Sequence, residues 1–187
     1  MKRLFSIYPP QATSLKDYPP ELITEEALNK CCNDGVNVWT RAAQKNGLQY
    51  LKHLITEEVV NKVDKFGSTL WHSAIQGNCL KDIPEHLFTT GAMNKRNRDG
   101  QSVWHRAAEE HLLKYIPKSL FTTEALAQVD NDGNSVWDII GKNGCLHEVP
   151  DALIKKQLLE MQNDKGDALF HRSWDVELIN NVSDRGI

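Results

Sequence analysis

The stretch NDGNSVWDIIGKNG, residues 131–144, decides the fold because the chain spells it several times at a regular spacing. Related words are RDGQSVWHRAAEE at 98–110 and NDGVNVWTRAAQKNG at 33–47. The glycines of the phrase are separated by 32, 33, 33 and 33 residues, and a large aromatic residue follows each by four positions. These glycines are Gly35, Gly67, Gly100, Gly133 and Gly166, and the aromatics are Trp39, Trp71, Trp104, Trp137 and Phe170. So many registered positions indicate tandem repeats.

The first half of each repeat predicts a tight turn followed by a short helix. Asp, Asn and Gly suit a turn with left-handed backbone. A Ser or Thr two residues after the glycine predicts an N-cap. In the third repeat Val103, Trp104 and Ala107 then form an apolar stripe at helical spacing. An adjacent Asn and Gly at 46–47, 77–78 and 143–144 predict a glycine cap at the C-terminus of this helix.

The second half of each repeat predicts a helical turn and a second helix. Proline recurs seventeen residues after the turn glycine, at Pro84, Pro117 and Pro150. Because proline is favoured in the first turn of a helix, we expect a short helical turn to begin near each one. A threonine then predicts the N-cap of the second helix, at Thr24, Thr56, Thr89 and Thr122. No strand pattern is evident, so the predicted fold class is all-α.

These periodicities predict a single repeat domain over residues 1–187. Its full repeats are 33–63, 64–96, 97–129 and 130–162, with a partial repeat or cap at 1–32 and a truncated one at 163–187. One repeat cannot bury its own Trp, Leu and Ile side chains, whereas stacked neighbours merge them into a continuous core. We therefore expect the tryptophans to pack in the core, in preference to forming a ladder that stacks on a ligand.

Over about residues 15–174 the chain resembles the ankyrin repeats, whose unit has 33 residues and the pattern Thr-Pro-Leu-His-x-Ala-Ala. The corresponding words are STLWHSAI at 68–75, QSVWHRAA at 101–108, NSVWDIIG at 134–141 and DALFHRSW at 167–174. Tryptophan replaces the family's leucine, valine or leucine replaces its proline, and a proline interrupts the second helix. The resemblance implies a divergent, ankyrin-like α-solenoid of short helices, stacked in tandem repeats joined by turns. It also implies protein binding through the turn tips and the first helix, without catalysis.

Candidate binding residues are those that differ between repeats on the turn tips and the first helix. Phe66 stands out because an aromatic side chain in a turn has little reason to be there, and aromatics are favoured anchors at interfaces. The alternative is that Phe66 packs on a neighbouring turn. Arginines recur at one first-helix position, where they either bind acidic partners or solubilise the face. The predicted partner-binding residues are Arg41, Lys65, Phe66, Arg98, Gln101, Arg106 and Asn134.

Chemical functions find little support in the sequence. His72, His105 and His171 occupy one repeat position, so in a stack they are one helix spacing apart, ~8–10 Å, and cannot share a zinc ion. We expect each to hydrogen-bond its own turn or the next one. Nucleophile and phosphate-binding motifs are missing, so no catalytic residue, metal or cofactor is expected. The four cysteines are scattered and predict reduced, partly buried thiols.

Composition limits the possible partners. The net charge is −3, from 22 basic and 25 acidic residues, which is no footprint for nucleic acid or an anionic membrane. No apolar run suits a secretory signal or a membrane span, so we expect a cytoplasmic protein, with delivery into a host cell left open.

The leading hypothesis is a non-catalytic scaffold that binds a protein, as an inhibitor or regulator of the effector or phage type. The alternative is the recognition module of an enzyme, or a degenerate hydrolytic enzyme. Self-association through the repeat ends is a third possibility.

Overall fold

The computed structural model describes residues 38–155, and the predicted partial repeats at 1–32 and 163–187 lie outside that part. The chain divides into two compact units, Met1–Arg98 and Asp99–Ile187. In the described residues all regular structure is helical, apart from an isolated bridge between Val129 and Ser135. The all-α prediction is confirmed, while a single repeat domain over 1–187 stays a prediction.

The first unit contains four described α-helices, which alternate between a longer and a shorter type. They are α1 (Val38–Gln44), α2 (Glu57–Asn61), α3 (Leu70–Gln76) and α4 (Thr90–Met93). Two short 3-10 helices follow each longer helix: Leu48–Tyr50 and Lys52–Leu54 after α1, and Leu80–Asp82 and Glu85–Leu87 after α3. Helix α3 packs against both α1 and α2.

The second unit has the same succession of elements. Its described helices are α5 (Val103–Glu109), α6 (Thr123–Leu126) and α7 (Val136–Asn143), and a further helical segment occupies residues 151–155. The 3-10 helices are Leu113–Tyr115, Lys118–Leu120 and Leu146–Glu148. Helix α7 packs against both α5 and α6. The predicted helical turn at each proline is therefore present, and an additional 3-10 helix precedes it.

The predicted N-caps hold wherever the structure describes them. Thr56, Thr89 and Thr122 each accept, through the side-chain hydroxyl, the backbone N–H of the residue three positions on. The longer helices α3, α5 and α7 begin with capping boxes at Thr69, Ser102 and Ser135. Thr24 lies outside the described residues. A cap satisfies N–H groups that the helix itself leaves unpaired, which explains why such short helices end at fixed residues.

The prediction of a glycine cap at helix C-termini is right for Gly144 and wrong for the pairs at 46–47 and 77–78. The left-handed residues there are Asn46 and Asn78, with φ of 54° and 52°, because the short polar side chain of asparagine tolerates this backbone. Gly77 has φ of −91° and serves a different purpose. A Cβ atom at residue 77 would lie 1.8 Å from the carbonyl oxygen of Ala43. Glycine is therefore needed where the end of α3 approaches α1.

The tryptophans form the centre of each unit's core, as predicted. Trp39, Trp71, Trp104 and Trp137 are all buried. The ring of Trp71 meets that of Phe88 edge to face, with centroids 4.7 Å apart, and Trp104 meets Phe121 in the same way at 4.9 Å. Such pairs add about 0.5–1.5 kcal/mol to the gain from area burial. Each repeat thus ties its first helix to the segment before its second helix.

Candidate functional site

In the first unit the turn at residues 64–68 is rigidly built around Asp64. Its side-chain Oδ1 accepts the backbone N–H groups of Phe66 and Ser68, at 2.8 and 2.9 Å. Its backbone N–H donates to the carbonyl of Ser68 at 2.8 Å, and its carbonyl accepts from Gly67 at 3.1 Å. Gly67 has φ of +74°, a conformation that glycine adopts without steric cost. Four hydrogen bonds therefore fix the backbone that carries Lys65 and Phe66.

The turn at residues 130–134 of the second unit has the same construction. Oδ1 of Asp130 accepts the backbone N–H groups of Asp132 and Asn134, at 3.0 and 2.9 Å. Burial alone would raise the pKa of the Asp130 carboxyl, but hydrogen bonds from the backbone and side chain of Asn134 and from Asp132 outweigh it and lower that pKa. Hydrogen bonds to the charged form favour it, so Asp130 is ionised at neutral pH.

Each of these turns is hydrogen-bonded through its backbone to a residue one repeat away. In the first unit the carbonyl of Phe66 accepts the N–H of Arg98 at 3.1 Å. In the second unit the carbonyl of Asp99 accepts the N–H of Asn131, also at 3.1 Å. Backbone groups alone form this link, which leaves the side chains at the tips out of it.

The histidine at the third position of the longer helices has a structural role, as predicted. The backbone N–H of Ser102 donates to Nδ1 of the buried His105 at 3.1 Å, and Nε2 of His105 donates to the carbonyl of Asn134 at 3.3 Å. His72 accepts the N–H of Thr69 in the same way, at 3.2 Å. His105 therefore fastens its own helix to the following turn, and His171 lies outside the described residues.

Three of the predicted binding residues meet at one place in the first unit. Lys65 and Phe66 are adjacent in the turn, and Arg98 is joined to Phe66 by the backbone hydrogen bond. Phe66 is 51% exposed, and Nζ of Lys65 lies 4.9 Å from the centre of its ring. We call these three residues the basic aromatic tip. Arg41 is exposed on a different element, helix α1.

In the second unit the remaining predicted residues lie at an acidic cleft of about 210 Å³. Gln101 and Asn134 line it, together with Ile139, Asn143 and one ammonium group, that of Lys142; the lining carboxylates are Glu109, Asp130, Asp132 and Asp138. Gln101 Nε2 donates to Glu109 Oε1 at 2.7 Å. The sequence analysis missed these acids because it treated aspartates in the turns as turn formers only.

Arg106 does not contribute an isolated positive charge to a row of arginines. Its guanidinium pairs with Glu109 and, at 3.5 Å, with Glu110 on the same helix. These i,i+3 and i,i+4 pairs neutralise the arginine and add a little helix stability. Whether Arg106 also contacts a partner stays a prediction.

The described cysteines are poor nucleophiles. Sγ of Cys79 donates to the carbonyl of Ala43 at 3.2 Å, and Sγ of Cys145 donates to that of Ala108 at 3.5 Å. Burial, aided by the nearby Asp82, raises the pKa of Cys79 to about 12, and burial with Glu148 does the same for Cys145. Since the thiolate is the reactive form, these thiols are inert in the folded protein.

Two buried acids were not anticipated from the sequence. Asp82 and Glu148 both stand fifteen residues after a turn glycine, and each pairs with a lysine of the preceding repeat. Lys52 Nζ lies 2.9 Å from Asp82 Oδ1, and Lys114 Nζ lies 3.7 Å from Glu148 Oε1. Their common repeat position was the available signal, but the lysines stand at different positions in their repeats.

Neither a metal centre nor a membrane span occurs in residues 38–155. No three histidine, cysteine or acidic side chains there are grouped to bind a metal ion, and no helix in that range has the length and apolar character to cross a bilayer. No protein-family model matches the chain, and a search of curated proteins gives no significant match.

Proposed function

We propose that the protein is an ankyrin-like α-solenoid that acts as a non-catalytic scaffold, binding a partner protein through its turn tips and first helices and thereby inhibiting or regulating it. The observation that carries this proposal is the basic aromatic tip, because Phe66 is half exposed on a turn that four hydrogen bonds hold in place. An anchor on a fixed backbone binds with little loss of conformational entropy.

The solenoid part of the proposal is supported by what recurs in each unit. The first helices of successive repeats pack together, α1 on α3 and α5 on α7. The backbone link between turns recurs with the same length, 3.1 Å. Contacts restricted to adjacent repeats are the property that defines a solenoid.

The non-catalytic part is supported by the use to which reactive side chains are put. His72 and His105 are spent on capping boxes, and the thiols of Cys79 and Cys145 are buried with a raised pKa. A general base or nucleophile must reach its substrate with a free polar atom. These four groups have theirs engaged in the fold.

The test is affinity capture from a lysate of the cells that express the protein, followed by titration of the purified partner in a calorimeter. We expect one saturable protein partner and no turnover of ester, peptide or glycoside substrates. The alternative, a recognition module or degenerate hydrolase, would be favoured by hydrolytic activity that disappears when one polar residue is replaced. Such activity would overturn the scaffold proposal.

A further inference from the structure

We propose that the basic aromatic tip of Lys65, Phe66 and Arg98 binds an acidic segment of the partner, whose carboxylates pair with the two cations while an apolar side chain covers the Phe66 ring. This inference rests on the proposed scaffold function and adds the chemistry of the partner.

The charge at the tip is available for a partner. The Lys65 ammonium lies over the Phe66 ring at 4.9 Å and forms no ion pair within residues 38–155. The one acid of the turn, Asp64, has Oδ1 occupied by the N–H groups of Phe66 and Ser68. A cation above an aromatic ring adds about 0.5–1 kcal/mol at an exposed site, so Lys65 is held near the ring while its other donors face outward.

The fold does not require these side chains. In the second unit the residues equivalent to Lys65 and Phe66 are Asn131 and Asp132, and the same hydrogen bonds close that turn. An exposed aromatic between two cations therefore contributes nothing that an Asn-Asp pair does not also provide to the turn. Aromatic and arginine side chains are the preferred anchors of interfaces, and a guanidinium pairs with a carboxylate through two parallel hydrogen bonds.

The second unit supplies a matched control. The double variant Lys65→Asn, Phe66→Asp gives the first turn the residues that the second unit already folds in the same conformation. We expect its melting temperature to stay close to that of the wild type. A second variant, Lys65→Glu with Arg98→Glu, keeps the ring and reverses the charge.

The experiment selects random peptides displayed on phage against the wild-type chain and measures each selected peptide by fluorescence anisotropy. Peptides that depend on the tip, binding the Asn-Asp variant at least about tenfold more weakly, are expected to carry net negative charge. Their affinity should fall with added salt, because ions screen exposed charges. The charge-reversed variant should select basic peptides instead.

Tip-dependent peptides that are neutral or basic would overturn the proposal, as would the lack of any peptide that distinguishes the wild type from the Asn-Asp variant. The two proposals fail separately. If the captured cellular partner binds the wild type and the Asn-Asp variant equally well, the scaffold function stands and the tip is not its docking site. A hydrolytic activity with no binding partner contradicts the scaffold function itself.

Discussion

The close approach of α3 to α1 makes a specific demand on Gly77. In a Gly77→Ala variant the new Cβ atom would lie 1.8 Å from the carbonyl oxygen of Ala43, 2.7 Å from its carbonyl carbon and 3.0 Å from the Cα atom of Gln44. All three are backbone atoms, which no rotamer change can move. Real Cβ contacts are essentially never under 3.0 Å, so the gap must open by at least 1.2 Å.

Opening this gap separates α3 from α1 in the centre of the first unit. The thiol of Cys79 would lose its hydrogen bond to the same Ala43 carbonyl, now 3.2 Å long. Overpacking of a dense core costs about 1–3 kcal/mol, and a clash between backbone atoms belongs at the upper end. We therefore expect Gly77→Ala to lower the free energy of unfolding by about 3 kcal/mol.

The matched control is Gly91→Ala, the same substitution in helix α4. No heavy atom lies within 4 Å of a Cβ placed at residue 91, so alanine stabilises by about 0.4–1 kcal/mol through the unfolded chain. Urea denaturation followed by far-UV circular dichroism measures both variants. Equal effects of the two substitutions, or a Gly77→Ala variant as stable as the wild type, would refute the packing of α3 on α1 described above.

Three further predictions concern the core, the thiols and the turn. Trp104→Ala should cost about 3–5 kcal/mol in urea denaturation, because Trp104 is fully buried against Phe121; a loss below about 1 kcal/mol would contradict its burial. With Cys31 and Cys32 changed to serine, Cys79 and Cys145 should react with Ellman's reagent only after unfolding, since their pKa is about 12; rapid labelling of the folded chain would contradict this. The lowered pKa of Asp130 stabilises the fold above the unfolded-state value of about 3.9 and ceases to do so as pH falls through the lower folded value. The difference in melting temperature between the wild type and Asp130→Ala should therefore be present at neutral pH and shrink in acid, and a difference independent of pH would refute it.

The local features that short-range chemistry controls were predictable from the sequence. The caps at Thr89 and Ser102 depend on residues within one helical turn of each other, and the burial of Trp104 follows from the apolar stripe on its own helix. The role of His105 was predicted because its spacing excludes a shared metal ion. A periodic pattern tests such features several times over, which is why they could be read without coordinates.

The features that were missed depend on contacts between repeats. The need for glycine at residue 77 arises from Ala43, in another repeat, so the dipeptide Gly77-Asn78 was taken for a local cap. Likewise the pairing of Asp82 with Lys52 joins residues thirty positions apart. In the candidate site, the exposure of Phe66 was left open by the sequence, since a turn residue can pack on the next turn or face solvent, and only its position relative to Arg98 decides between the two.

The backbone link between turns has a consequence for how such a protein can change. Since the carbonyl of Phe66 and the N–H of Arg98 form the bond, nearly any amino acid can be exchanged at these two sites without breaking it. Mutation can then alter what the molecule recognises while its folding is preserved, which suits a lineage under pressure to follow an evolving target and offers a ready framework for engineered binders.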